Sequence, residues 1–317
     1  MKNLVLDVDT GIDDAIAILL ACKWSEVSLR GISCVSGNVS LEKVLENTLG
    51  VLNLAERWDV PVAIGAREPL VEKARSSSNV HGENGLANLT LDTGPVRNTI
   101  FRSASDLYRD LLQSDGEPIT FVALAPLTNL ALFIRSHPEA ASKISEIVFM
   151  GGSIGTGNAS AVAEFNVWHD PEAAHIVLSS GIPITMYSLD AFEQVHVSED
   201  ELKHVNVEGN QILRVITDLL NFQRENLDGS KGDRFGLIGD AGAVITAVRP
   251  ELATTIRHPV HVNLSPGIGR GQTQIDKRLA EGEDAHHSLY EKWPEIDVVS
   301  NLDREKALKI LFDTIGN

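Results

Sequence analysis

From its first residues the chain alternates short apolar runs with longer stretches of helical periodicity, and few folds accept that rhythm. NLVLDVD (3–9) reads as a strand, and IDDAIAILLACKW (12–24) as a helix with Asp13 and Asp14 in its first turn, where the macrodipole favours them. VSLRGISCVS (27–36) reads as a strand, SLEKVLENTLGVLNLAERW (40–58) as a helix opened by Ser40, and VPVAIG (60–65) as a strand. Helices follow over 103–114, 128–138 and 171–181, with strands over 119–124, 146–152 and 183–189. Such repetition predicts an α/β fold whose central sheet is mostly parallel and Rossmann-like, with helices on both faces. In sheets of that kind ligands bind beyond the carboxyl ends of the strands, so the chemistry is to be sought there.

Two polar stretches break the alternation. Residues 66–100 carry SSSNVHGENG and residues 221–240 carry NLDGSKGDRFG, both long for ordinary connections, which suggests loops over a site. Segment 263–295 has little patterning. No repeat or linker divides the 317 residues, so residues 1–317 are read as a single domain. Lys and Arg number 27 against 44 Asp and Glu, a net charge of −17, which argues against nucleic-acid or membrane-surface partners. Cys22 and Cys34 lie in apolar runs without CxxC spacing and read as buried thiols. The opening MKNLVLDVD is too short an apolar stretch for a secretory signal, and no run reaches the length of a membrane span. A soluble, cytoplasmic protein is the expectation.

The most informative stretch is Asp7-Val8-Asp9-Thr10-Gly11-Ile12-Asp13-Asp14, at the first strand-to-helix turn. In a continuing strand Asp7 and Asp9 share a face, so all of these carboxylates are expected to approach one volume above the sheet. Anions so close repel, which raises some pKa values or demands a cation. An oxygen-rich, carboxylate-heavy set suits Ca²⁺ or Mg²⁺ better than zinc. Helix N-terminal acids alone account for only part of the set. A haloacid-dehalogenase-type phosphatase is one alternative, with Asp7 as nucleophile and Gly239-Asp240 as its late motif. Gly11 and the Asp13-Asp14 pair do not suit that pattern.

A closer likeness lies elsewhere. DVDTGIDDAIAILLA resembles the N-terminal signature of the inosine–uridine-preferring nucleoside hydrolases. The resemblance continues through GISCVSGNVSLEKVLENTLGVL (31–52), VPVAIGAREPLV (60–71), VHGENGL (80–86), ALAPLTNLAL (123–132), VFMGGSIGTGNASAVAEFNVWHDPEAAHIVL (148–178) and DAGAVITAVRPEL (240–252). Ordered motifs over most of a chain are far more specific than one short pattern. The resemblance implies the nucleoside hydrolase fold and a Ca²⁺-dependent hydrolysis of the N-glycosidic bond of ribonucleosides, giving free base and ribose. By motif position Asp9 would be general base and metal ligand, with Asp14, the Leu124 carbonyl and Asp240 completing the metal set. Asp13, Asn38, Asn158, Glu164 and Asn166 would hold the ribose hydroxyls, and His81 would line the pocket. Asp240 would also face the substrate, and Asn38 would support catalysis.

The chemistry asks for these parts: an oxocarbenium-like sugar is stabilised by acids and hydroxyl-gripping groups, and a water must be activated. Asp170-Pro171 reads as a structural N-cap with proline at the first helical position. One departure stands out. Gly239 occupies the slot where inosine–uridine-preferring members carry a histidine that assists the leaving base. Such help must then come from His81, from a residue of the 221–236 loop such as Lys231 or Arg234, from stacking on an aromatic, or from nothing strong. Gly239 also keeps open a non-catalytic nucleoside or ribose binder. The resemblance further implies a homodimer or homotetramer.

Overall fold

A computed structural model describes residues 1–95, 100–101, 103–114, 116–226, 236–288 and 292–316. Its strands, in chain order, are β1 (Lys2–Val8), β2 (Val27–Cys34), β3 (Val62–Ile64), β4 (Ile100–Phe101), β5 (Ile119–Ala123), β6 (Glu146–Met150), β7 (Ile184–Tyr187), β8 (His196–Val197), β9 (Gly236–Leu237), β10 (Ala253–Val262), β11 (Thr273–Ile275) and β12 (Glu295–Leu302). Ten of them form one sheet in the order β11-β10-β12-β7-β6-β5-β1-β2-β3-β4, while β8 and β9 pair separately. From β4 across to β12 every pairing is parallel, and β10 and β11 add an antiparallel edge.

The pleat of β1 shows why its sequence must be apolar throughout. Leu4, Leu6 and Val8 face one hydrophobic cluster, made with the helices Ile12–Lys23, Leu41–Leu54 and Ala241–Val248. Val5 faces the other cluster, made with the helices Ala104–Ser114, Thr128–Ser136 and Pro171–Leu178. A strand covered on both faces reads as a continuous hydrophobic run rather than an alternating one. The helix Ile12–Lys23 is buried on nearly every side, Asp13 and Lys23 being its exceptions, because it lies between the sheet and further helices.

The direction of winding reverses at β1, which is flanked by β2 on one side and β5 on the other. The crevice beyond the ends of β1 and β5 is therefore the natural ligand position. Leu124 N donates to the Asp7 carbonyl (2.8 Å), zipping the two strands together up to that crevice.

Most predicted elements are present, with two differences. Residues 221–226, expected in a loop, complete the helix Gln211–Asn226. The rest of that stretch up to 235, with Lys231 and Arg234, lies outside the described residues. Among its described residues, segment 263–295 contains β11, a short helix, Glu283–His286, and the first residue of β12. Both cysteines are buried, and neither forms a disulfide among the described residues. No described helix is long and apolar enough to cross a membrane.

Candidate active site

A cavity of about 290 Å³ opens at the carboxyl ends of the parallel strands. Asp9 reaches it from just beyond β1, Asn38 from beyond β2, Leu124 from the end of β5, and Met150 from the last position of β6. The expected site residues Asp13, His81, Asn158, Glu164, Asn166 and Asp240 line it as well. Asp14 stands behind the lining, and its carboxylate comes together with those of Asp13 and Asp240, ligand atoms all within 4.8 Å of one another.

Asp7 does not join them. It is still within β1, so the pleat turns it to the opposite side from Leu6 and Val8, where its Oδ1 accepts from Ser33 Oγ (2.6 Å) and Asn129 Nδ2 (2.7 Å). The strand ends at Val8, and that break sends Asp9 into the cavity instead of letting it follow Asp7. Burial pushes the Asp7 carboxyl up to about 6. A nucleophile has to touch substrate, and Asp7 does not line the cavity, which removes the basis of the phosphatase alternative.

Asp9 is held from two sides by one residue. Its Oδ2 accepts from the Asn38 backbone N–H (2.7 Å) and its Oδ1 from Asn38 Nδ2 (3.1 Å). This approach needs glycine at 37, where a β-carbon would run into Asp9 Oδ2. Asn38 Nδ2 also reaches Asp14 Oδ2 (3.4 Å), and its Oδ1 accepts from Ser77 Oγ (2.6 Å). The 66–100 stretch is thus pinned over the site through Ser76 and Ser77, which both line the cavity. Asp14, at the third position of its helix, accepts from Gly11 N (2.8 Å) and Asp9 N (3.2 Å), the acidic half of a capping box.

Glu164 is buried, not the surface acid its isolated sequence position suggests. It caps the helix Phe165–His169, accepting from Asn166 N, Val167 N and Gly152 N. Burial raises its carboxyl to about 7. Asn166 Nδ2 donates to the Leu124 carbonyl (3.0 Å) and the Met150 carbonyl (3.1 Å), which fixes the amide plane. Asn158 Oδ1 accepts from Phe165 N (2.9 Å). His81 Nδ1 accepts from Ile12 N (3.3 Å), leaving the ring proton on Nε2, and burial lowers its pKa.

Sequence reasoning did not single out Phe165, Trp168 and Phe192, which line the same cavity. The first two sit inside the AEFNVWH run already quoted; the only signal for Phe192 is its place shortly after β7.

Electrostatically the acidic cluster is under strain. Burial, reinforced by neighbouring carboxylates, raises Asp9 and Asp240 well above the usual range and takes Asp14 to about 8. Asp13 Oδ1 and Asp240 Oδ1 are buried without a hydrogen-bond partner among the described residues. Buried acceptors of this kind call for a donor or a cation, and hard carboxylate oxygens suit a divalent ion.

An α/β sheet clad on both faces carries an acid-walled cleft at its switch point, the place where sheets of this class bind small ligands. A profile of the inosine-uridine preferring nucleoside hydrolase family matches residues 4–309. The pyrimidine-specific ribonucleoside hydrolase RihA of Shigella boydii serotype 4 (strain Sb227) is 36% identical over 316 residues, covering 98% of this chain and 97% of the relative. Among solved structures, the plant nucleoside hydrolase PpNRh1 superposes with a TM-score of 0.89 at 30% identity, over 99% of this chain and 98% of that one. The purine-preferring ribonucleoside hydrolase from Gardnerella vaginalis gives 0.87 at 29%, with 99% and 98% covered. The chain belongs to the inosine-uridine preferring nucleoside hydrolase family, and it is a ribonucleoside hydrolase, an enzyme of N-glycosidic bonds. The family implies a metal ion, and the carboxylate cluster is where this chain fits one.

Proposed function

We propose that the chain hydrolyses ribonucleosides in a Ca²⁺-dependent reaction, with Asp9 as general base. The observation that carries this reading is the buried carboxylate cluster with its two orphaned oxygens, Asp13 Oδ1 and Asp240 Oδ1, beside an Asp9 gripped twice by Asn38. Asp9, Asp14, the Leu124 carbonyl and Asp240 would hold the cation. When bound, it supplies positive charge that quiets the repulsion within the cluster and acidifies the water beside it.

The remaining work falls to side chains. Asn38 aims the Asp9 carboxylate, which takes the proton of the attacking water at one of its oxygens. Asp13, Asn38, Asn158, Glu164 and Asn166 hold the ribose hydroxyls, and the surrounding carboxylates stabilise positive charge as it develops on the sugar. His81 forms part of the wall.

The test is ribose release from a panel of purine and pyrimidine ribonucleosides, before and after chelation and calcium add-back. Both base classes belong in the panel, because RihA carries a pyrimidine-specific name and the Gardnerella vaginalis relative a purine-preferring one. Turnover of any member, lost on chelation and restored by calcium, is the expected result. No release from any nucleoside, with calcium and ribose still bound, would replace this reading with a non-catalytic binder.

A further inference from the structure

The stretch after β10, which carries little sequence patterning, reaches the segment that holds Glu164 and Asn166. β10 and β11 form a hairpin in which Asn263 N donates to the Gln272 carbonyl (2.9 Å) and Gly271 N to the Asn263 carbonyl (2.8 Å). At the start of β11, buried Thr273 turns its hydroxyl onto Ser153. Its Oγ1 accepts from Ser153 N (2.9 Å) and donates to the Ser153 carbonyl (2.8 Å), so one side chain pairs both backbone groups of a buried residue. Ser153 follows Gly152, whose N–H donates to Glu164 Oε2 (2.8 Å). Gly152 has φ +67°, and a β-carbon there would lie 2.7 Å from Thr273 Cγ2.

The same hairpin also backs the helix Phe165–His169. A β-carbon at Gly271 would lie 2.7 Å from Trp168 Cα, so the two backbones touch. Arg270 ties the turn down, donating to Glu172 Oε1 (2.6 Å), Glu72 Oε1 (3.0 Å) and the Leu264 carbonyl (2.7 Å). Residues 270–273 thus press on Gly152 and on Trp168. Between those two points in the chain lie Asn158, Glu164 and Asn166, which all line the cavity. Thr273 itself does not line it.

We propose that the turn Arg270–Thr273 is a positioning element for sugar binding, in which Thr273 sets the place of Glu164 through the Gly152–Ser153 backbone. The inference rests on the hydrolase reading, which gives Glu164 and Asn166 to the ribose hydroxyls, and adds to it residues that touch no substrate. A binding side chain keeps its geometry only as well as the groups behind it are locked. Without the Thr273 hydroxyl, the Ser153 N–H and carbonyl would be buried and unpaired. The local backbone would shift to find partners, taking the Gly152 N–H and Glu164 with it.

The experiment measures ribose affinity by calorimetry in saturating calcium, calcium affinity by titration, and kcat and KM for uridine and inosine. Thr273→Val keeps the side-chain shape and removes the hydroxyl. It should weaken ribose binding about tenfold, the worth of one hydrogen bond to a charged group, and raise nucleoside KM by the same factor. Calcium affinity should hold and kcat should stay within about threefold, because binding common to ground and transition states is what is lost. Thr273→Ser, which keeps the hydroxyl, should restore ribose affinity. Arg270→Gln loosens the same turn at its other end and should weaken ribose about threefold; it carries the test if Thr273→Val does not fold.

A brace that only stabilised the fold would change the amount of active enzyme, so kcat would fall while KM and ribose affinity stayed put. That result would overturn the proposal. Equal losses in Thr273→Val and Thr273→Ser would do so as well, as would a fall in calcium affinity matching that for ribose. An unmodified enzyme that binds ribose yet releases none from any nucleoside would instead overturn the hydrolase reading, and the ribose titrations would still decide the role of Thr273.

Discussion

At the scale of single residues, the site is organised by where side chains are denied company. Asp9 accepts two hydrogen bonds from Asn38, whereas Asp13 Oδ1, 3.6 Å from His81 Nδ1, and Asp240 Oδ1 have no hydrogen-bond partner among the described residues. Asp9→Ala should therefore cost both proton transfer and a cation ligand. Turnover is expected to fall at least roughly a thousandfold, with calcium affinity falling alongside it. Ribose release and calcium titration on the same preparation check this, and unchanged turnover would sink Asp9 as base. His169 shows the opposite economy. Its ring is buried, neither nitrogen has a partner among the described residues, and burial, with Arg75 second, lowers its pKa to about 4. The unfolded chain, with an ordinary histidine near 6.5, binds the extra proton between those values. The contribution to stability is thus complete above about 6.5 and is lost as pH falls towards 4, up to about 3 kcal/mol. Buried Asp7 and Glu164, raised to about 6 and 7, work in the other sense and strengthen the fold as pH falls, so the total curve is not diagnostic. The difference in urea stability between the unmodified protein and His169→Phe isolates the histidine. It should shrink between pH 7 and 4, and a pH-independent difference would refute the assignment.

At the scale of elements, Asp170 shows how one local signal carries longer consequences. It caps the helix Pro171–Leu178 through Ala173 N (3.0 Å), as the Asp-Pro pair predicts. Its other oxygen accepts from Thr128 Oγ1 (2.6 Å) and Leu70 N (3.0 Å), so one carboxylate joins two helices to the stretch after β3. Asp170→Ala should cost about 3 kcal/mol, adding a lost cap to two lost buried hydrogen bonds, measured as a lower urea midpoint. A cost below about 1 kcal/mol would mean that water replaces these contacts. The cap was legible because capping is local; the reach to Leu70 spans a hundred residues and leaves no trace in spacing. The end of the helix Gln211–Asn226 was hidden for another reason. Its buried stripe of Leu213, Ile216, Leu219 and Leu220 continues into Gln223, a polar residue whose Oε1 accepts from Leu237 N (3.0 Å). A hydrogen-bonded glutamine in a core position looks like the start of a loop. The parallel strands, covered on both faces, announce themselves, whereas β10 is exposed over Thr254–Arg257, and its ATTIRHPVHV lacks a clear apolar pattern. Asp9, Asn38 and Glu164 were legible as motif members, but Phe192 belongs to no motif and meets the site only through the fold.

At the scale of the whole molecule, the question is whether a cation acts at one place or merely screens a chain of net charge −17. Anything that binds only the folded state stabilises it by RT ln(1 + [L]/Kd), about 2.7 kcal/mol at a hundredfold excess over Kd. For a chain of this size that corresponds to a rise in Tm of about 5 °C. Diffuse screening would be reproduced by sodium at equal ionic strength, since it depends on counterion concentration and not on ligand geometry. A built site would not be, because Asp13, Asp14 and Asp240 converge within 4.8 Å, a spacing that a single divalent ion can satisfy. Thermal unfolding in calcium, magnesium and matched sodium chloride separates the two without any substrate. Calcium is expected to give the full rise, magnesium less because it demands a tighter octahedron, and sodium almost none. The Asp14→Asn, Asp240→Asn double variant should lose the calcium response while retaining a cooperative transition. A calcium shift that survives in that variant, or that sodium matches, would assign the effect to the acidic surface as a whole and leave the cluster without its ion.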